Sequence, residues 1–278
     1  MPEPLPIPIR VLVKGASTVG WSSGMGGPRT DFTFPRAMEA ALLADGRPTE
    51  IRTISVPSER TKTTLNRWED EAIGYSPDVV VLLYGHYETI HFILPWWLER
   101  HANSLKRHPR RIAEAYRKHF LTPLWMFLAK MQAKADVALD PTIRRSRPKN
   151  VAADLERLIG HLQDLHSPLV FCFELLPPAT RYRSWFPGME RRIIVMNKAI
   201  ADMIERVDRP NVRLFKTTEL VEKYAGGDID VATPDGFHYS HELHHEVGVE
   251  LARRVREWAD TQPHLAKRLA DRDETHTA

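Results

Sequence analysis

Cysteine is all but missing from these 278 residues. Cys172 stands alone, which excludes an intramolecular disulfide and leaves no sign of an oxidising compartment. Long apolar runs are missing too: no uncharged stretch reaches the ~18 residues that a bilayer-spanning helix needs. The N-terminal MPEPLPIPIR is proline-rich and has no apolar signal-peptide core, so a cytoplasmic protein is the expectation. Nor is there a strong excess of one charge. The 39 Lys and Arg against 36 Asp and Glu leave +3, too little to argue for a nucleic-acid partner. Internal repeats are absent as well. What is present is 42% hydrophobic residues, enough for one substantial core.

The apolar residues are grouped in a repeating order. Ile9 to Lys14 reads as a first strand and ends in the small-residue turn Gly15-Ala16-Ser17-Thr18. A helix is expected over 34–43, a strand over Ile51 to Val56, a helix over 64–73, and a strand over Asp78 to Tyr84. The last of these, DVVVLLY, is a continuous β-branched and apolar run of the kind buried on both faces of a parallel sheet. The pattern resumes with a helix at about 151–165 and the strand Leu169 to Leu175, which holds Cys172 as a buried structural thiol. A helix at about 189–207, the strand Val212 to Phe215 and a helix at about 242–260 follow. Strands alternating with helices predict a doubly wound α/β sheet, with its site beyond the carboxyl ends of the strands. Residues 91–150 break the rhythm and are expected to form a helical insertion or lid within the single domain. The charged stretch 263–278 reads as a loose tail.

Two separated segments could carry chemistry. Ser17 stands on the turn that ends the first buried strand, where a serine is ordinarily a turn or cap residue. Near the other end, Asp235-Gly236-Phe237-His238 places a carboxylate three residues before an imidazole. Such a carboxylate can accept a hydrogen bond from one ring nitrogen and leave the other to deprotonate a serine.

These segments resemble those of the SGNH, or GDSL, hydrolases. VLVKGAST, residues 11–18, is similar to the block that carries the family's nucleophile, here Ser17. DGFHYS, residues 235–240, resembles its last block, with Asp235 and His238. DVVVLLYGHYE, residues 78–88, is similar to the strand ending in GxND, and Val56-Pro57-Ser58-Glu59 occupies the segment that normally reads VxGx. The resemblance implies a flavodoxin-like, five-stranded parallel sheet, and an esterase working through an acyl-serine on a small carboxylic ester. It implies no metal or organic cofactor, and Ser58, Gly85 and Tyr87 would line the oxyanion and substrate site. Four positions depart from the pattern. Ala16 replaces the aspartate of GDS, Ser58 a glycine, Tyr87 the asparagine donor and Glu88 the following aspartate. The departures point to a remodelled oxyanion hole, in which Tyr87 either donates a hydrogen bond or only fills space. They also leave open acyl transfer by the same groups, or a weakened protein of this fold that binds without turnover.

Other motifs compete. His241-Glu242-Leu243-His244-His245 matches H-E-x-x-H, the zinc-hydrolase helix with two ligands one turn apart. Leu251 stands where the longer form of that motif has its third histidine, and Glu274 could complete a site only if the tail folded back. The glycines between Gly15 and Gly27 lack both the Gly-Lys-Ser/Thr ending and the G-x-G-x-x-G spacing of nucleotide loops. Residues 99–119 carry seven Lys and Arg against Glu99 and Glu114, a local +5. With Trp96, Trp97 and Trp125 nearby, that stretch reads either as a solvated helix face or as a surface for an anionic substrate or a membrane.

Overall fold

A computed structural model describes residues 8–23, 32–57, 59–90, 111–263 and 265. Five strands form one parallel sheet: β1 (Ile9–Gly15), β2 (Thr49–Ser55), β3 (Val79–Leu83), β4 (Leu169–Phe173) and β5 (Val212–Phe215), in the order β2-β1-β3-β4-β5. This is the expected doubly wound α/β architecture. β1 pairs on one side with β2, Val11 opposite Ile51, and on the other with β3, Val11 opposite Val79. β3 and β4 are buried along their whole length, as their unbroken β-branched and apolar runs require. Cys172 is buried in β4, and burial pushes its thiol up to about 12. The edge strand β2 alternates polar residues and is largely open.

The helices are α1 (Ser17–Gly20), α2 (Phe34–Ala44), α3 (Thr61–Asn66), α4 (His86–Thr89), α5 (Arg111–Tyr116), α6 (Thr122–His166), α7 (Thr180–Arg183), α8 (Met189–Val207), α9 (Thr217–Ala225), α10 (Ile229–Ala232) and α11 (His241–Ala259). Because strand side chains alternate in direction, the sheet presents two different faces. Leu12, Val80 and Leu82 meet Leu158 and Leu162 of α6 around a cavity of only ≈ 10 Å³. Phe34 of α2 instead stacks on Phe173 of β4, with ring centroids 5.4 Å apart. α2 also packs along α11, and α6 along α8.

Where the elements differ from expectation, the reasons are local. The helix expected over 64–73 is α3 followed by a separate π-helical turn, Glu69–Ile73. The helix expected at 151–165 is the last part of α6, a 45-residue helix that runs through Pro141 and Pro148. Residue 150, the expected end of the insertion, therefore lies inside a helix. Residues 91–110, with Trp96 and Trp97, and nearly all of the tail after 263 lie outside the described residues.

One buried polar cluster lies beneath the carboxyl edge of β1 and β3. Lys14 of β1 pairs with Glu71, and Arg67 lies 3.5 Å from the same carboxylate. Glu59 accepts hydrogen bonds from the Tyr84 hydroxyl at 2.7 Å and from Thr64 at 3.1 Å. Burial is the main cause that lowers the Lys14 ammonium to about 8, against the raising effect of Glu59. The cluster ties the segment after β2 to the ends of β1 and β3.

Candidate active site

β1 ends at Gly15, and Ser17 begins α1 at once, so the serine stands at the carboxyl edge of the sheet. This is the switch point, where the chain after β1 goes to β2 on one side and the chain after β3 goes to β4 on the other. His238 arrives from the loop between α10 and α11. Its Nε2 is 2.8 Å from the Ser17 hydroxyl, and its Nδ1 is 2.7 Å from Asp235 Oδ2. The carboxylate can only accept, so Nδ1 carries the proton and Nε2 is the acceptor for Ser17. Asp235 Oδ1 meanwhile accepts from the backbone N–H groups of Phe237 and His238, at 3.0 and 2.9 Å. Burial works to raise the Asp235 carboxyl, but the hydrogen bond and charge of His238 with the two N–H groups outweigh it, and the net direction is down. Gly236 has φ +105°, and a Cβ there would sit 2.0 Å from the Tyr182 ring. The turn that presents His238 thus requires glycine.

The imidazole is held from behind by residues not anticipated from the sequence. Trp21 lies against the His238 ring, with centroids 5.4 Å apart. Ser23 donates its hydroxyl to the His238 carbonyl at 2.9 Å and its N–H to the Tyr239 carbonyl at 2.9 Å. His244 accepts the Phe34 N–H on Nδ1 at 3.0 Å and meets the Trp21 carbonyl through Nε2 at 2.9 Å. It therefore pins both ends of the segment that follows α1. Burial lowers its imidazole to about 4, so it works as a neutral ring with one donor and one acceptor.

This geometry also disposes the H-E-x-x-H segment. His244 uses both of its ring nitrogens structurally, His241 packs edge-on against Phe32 at 4.3 Å, and His245 is exposed beside Glu246. Among the described residues no group of three His, Cys, Asp or Glu side chains is arranged to hold a metal.

The opposite wall is built by the chain after β2 and β3. Gly85 caps α4 with φ +106°, and a Cβ there would crowd Leu175 and Met196. Tyr87 lies beneath the Arg60 guanidinium, 5.6 Å from the ring centroid. Ser58 itself is outside the described residues, but its flanks are tied down. Glu59 belongs to the cluster under the sheet, and Glu88 accepts the Thr61 N–H at 2.9 Å and the Thr61 hydroxyl at 3.3 Å. Burial pushes the Glu88 carboxyl up, against the lowering effect of those hydrogen bonds. The carboxyl end of α4 is gripped by two arginines. Arg147 of α6 donates to the carbonyls of Glu88 and Ile90, both at 3.1 Å, and Arg192 of α8 donates to that of Thr89 at 2.6 Å. Arg192 is in turn paired with Asp136 at 2.8 Å and Asp140 at 3.1 Å, all three almost fully buried. His86 completes this wall. Its ring meets Phe237 edge-on at 5.8 Å, its Nε2 is buried without a partner, and burial followed by the charge of His238 lowers it to about 4.

With this geometry in view, comparison with solved structures places the fold among the SGNH, or GDSL, hydrolases. A lipase/acylhydrolase from Enterococcus faecalis superposes with a TM-score of 0.57 at 14% identity, over 89% of this chain and 95% of that one. The carbohydrate acetylesterase Est24 from Sinorhizobium meliloti gives 0.53 at 15% identity, over 90% and 99%. Axe2, an acetyl-xylooligosaccharide esterase from Geobacillus stearothermophilus, gives 0.56 at 13% identity, over 90% and 95%. At such identities the likeness is one of fold. No protein-family model and no curated protein sequence matches the chain.

Proposed function

We propose that this protein is a serine ester hydrolase. The observation that carries the reading is the continuous hydrogen-bonded chain from Asp235 through His238 to Ser17 at the edge of a parallel sheet. Ser17 attacks the ester carbonyl while His238 Nε2 takes its proton. Asp235 holds the ring in the Nδ1–H tautomer and stabilises the imidazolium. The same proton then passes to the leaving alcohol, and an acyl-serine remains. Water, deprotonated by His238, attacks that acyl group, and the acid departs as the proton returns to Ser17. The steps use only these side chains.

Charge develops on the carbonyl oxygen in each tetrahedral intermediate. By the resemblance of the sequence blocks, the donors assigned to it are the backbone N–H groups of Ser17 and Ser58, with Gly85 as a further residue of that site. Tyr87, covered by Arg60, forms part of the substrate wall. Two of the fold neighbours are described as acetylesterases of carbohydrates, which supports a short acyl group as the first to test.

A series of chromogenic esters of increasing acyl length, assayed with wild type and Ser17→Ala, tests the reading. Turnover by wild type that falls about 10³-fold or more in the variant supports it. Equal rates in both proteins would remove Ser17 from the chemistry.

A further inference from the structure

An ordinary surface helix buries its apolar side and exposes its polar one. The first part of α6 does the reverse. Gln132, Asp136 and Asp140, one turn apart, are buried at 3%, 0% and 1% exposure, and the two aspartates are spent on Arg192. The outer side carries Phe127 at 59% and Met131 at 49%, one turn apart. Phe120, two turns before Phe127, is 58% exposed and stacks on Tyr116 at 5.6 Å. Large apolar side chains that leave water gain about 25 cal/mol per Å², so folding alone does not favour holding four of them out. An exposed apolar group of this size marks a surface that meets something else.

Charge says what that is. From Ala115 to Ala135 there are four cations, Arg117, Lys118, Lys130 and Lys134, and no acid. Lys118, Lys130 and Lys134 are exposed; beyond this stretch Asp136 and Asp140 face inward on the C-terminal side, and Glu114 is the one exposed acid beside it on the N-terminal side. A second copy of the chain docked on this side would set cations against cations. An anionic bilayer surface has no such conflict. Aromatic and methionine side chains enter the headgroup boundary, and each lysine near anionic lipid adds electrostatic attraction. No described helix is long and apolar enough to cross a membrane, so the contact would be one that lies on the surface.

We propose that the outer face of residues 116–134 is a peripheral docking surface for anionic phospholipid membranes. The proposal is independent of the reaction assigned to Ser17. The test is co-sedimentation of the full chain with vesicles of phosphatidylcholine, with and without about 30% phosphatidylglycerol. Wild type should sediment with the anionic vesicles at least tenfold more strongly than with the neutral ones, and high salt should release it. Phe120→Ser with Phe127→Ser, and separately Lys118→Glu with Lys130→Glu and Lys134→Glu, should each weaken that binding tenfold or more with the melting temperature unchanged. Absence of wild-type binding to anionic vesicles overturns the proposal whatever the variants do. So does unaltered binding by a folded phenylalanine variant. A wild-type dimer in light scattering that the same variant dissociates would assign the face to a second copy instead.

Discussion

The two walls of the candidate site are held in different ways. On the His238 side the clamps are single hydrogen bonds: an Asx-type turn at the Asp235 carboxylate, a serine staple from Ser23 and a neutral imidazole at His244. On the Tyr87 side the clamps are ionisable side chains, buried at Glu59, Glu88 and Arg192 with its two aspartates and half-buried at Arg147. The first wall keeps the residues of the family pattern it resembles, and the second is where the chain departs from it. A hydroxyl-to-imidazole proton transfer tolerates little change in distance, and on that side one local turn at Asp235 is fixed by long-range hydrogen bonds from Ser23 and His244. The wall around a carbonyl oxygen can be rebuilt so long as backbone donors stay in place, and buried ion pairs are one way to keep them there.

Breaking the first wall should cost the most rate. Asp235→Asn leaves the shape but lets His238 take the wrong tautomer, and kcat should fall about 10³- to 10⁴-fold with the fold intact by circular dichroism. The second wall should fail through stability before chemistry. Arg192→Met removes the buried cation that Asp136 and Asp140 share, leaving the Gly188 N–H on Asp136 and the more distant Arg191 beside Asp140, and a urea titration should show a loss of about 3 kcal/mol.

Acid should distinguish the walls less sharply, because each contains one buried neutral histidine. His244 and His86 are held at about 4 by burial, below the 6.5 of an ordinary histidine. The unfolded chain therefore binds protons that the folded one refuses. Their contribution is complete above about pH 6.5, is lost as pH falls toward about 4, and levels off below that. At pH 5 each histidine should cost about 2 kcal/mol relative to pH 7, read as a drop in the urea midpoint. His244→Gln should be less stable at pH 7 and should show a smaller change between the two pH values. The smallest effect is expected at Tyr87. Because its ring packs under Arg60, Tyr87→Phe should leave kcat within about threefold, whereas a loss of tenfold or more would make its hydroxyl an oxyanion donor.

Much of the frame was legible because its signals are local. The runs Val79–Leu83 and Leu169–Phe173 announce strands buried on both faces, and Asp235 and His238 lie close enough in sequence to be read as one unit. Ser17 could be joined to them only through its place at the end of β1 and the resemblance of the flanking block. The clamps were not legible. Ser23 and His238 are 215 residues apart, Arg192 and Asp136 are 56 apart, and nothing in the type of either partner names the other. H-E-x-x-H was a true pattern with a different use, since pattern alone does not say which ring nitrogens are already occupied. The long α6 was hidden by Pro141 and Pro148, whose local preference against helix interiors is overridden here.

The central claim is that Ser17 is activated by His238, and covalent labelling tests it most directly. An alkyl phosphonate ester should add one phosphonyl group to Ser17, located by peptide mass analysis. Its rate should fall about 10³-fold or more in His238→Ala and in unfolded protein. Labelling spread over several serines, or labelling of Ser17 at the same rate without His238, would contradict the account.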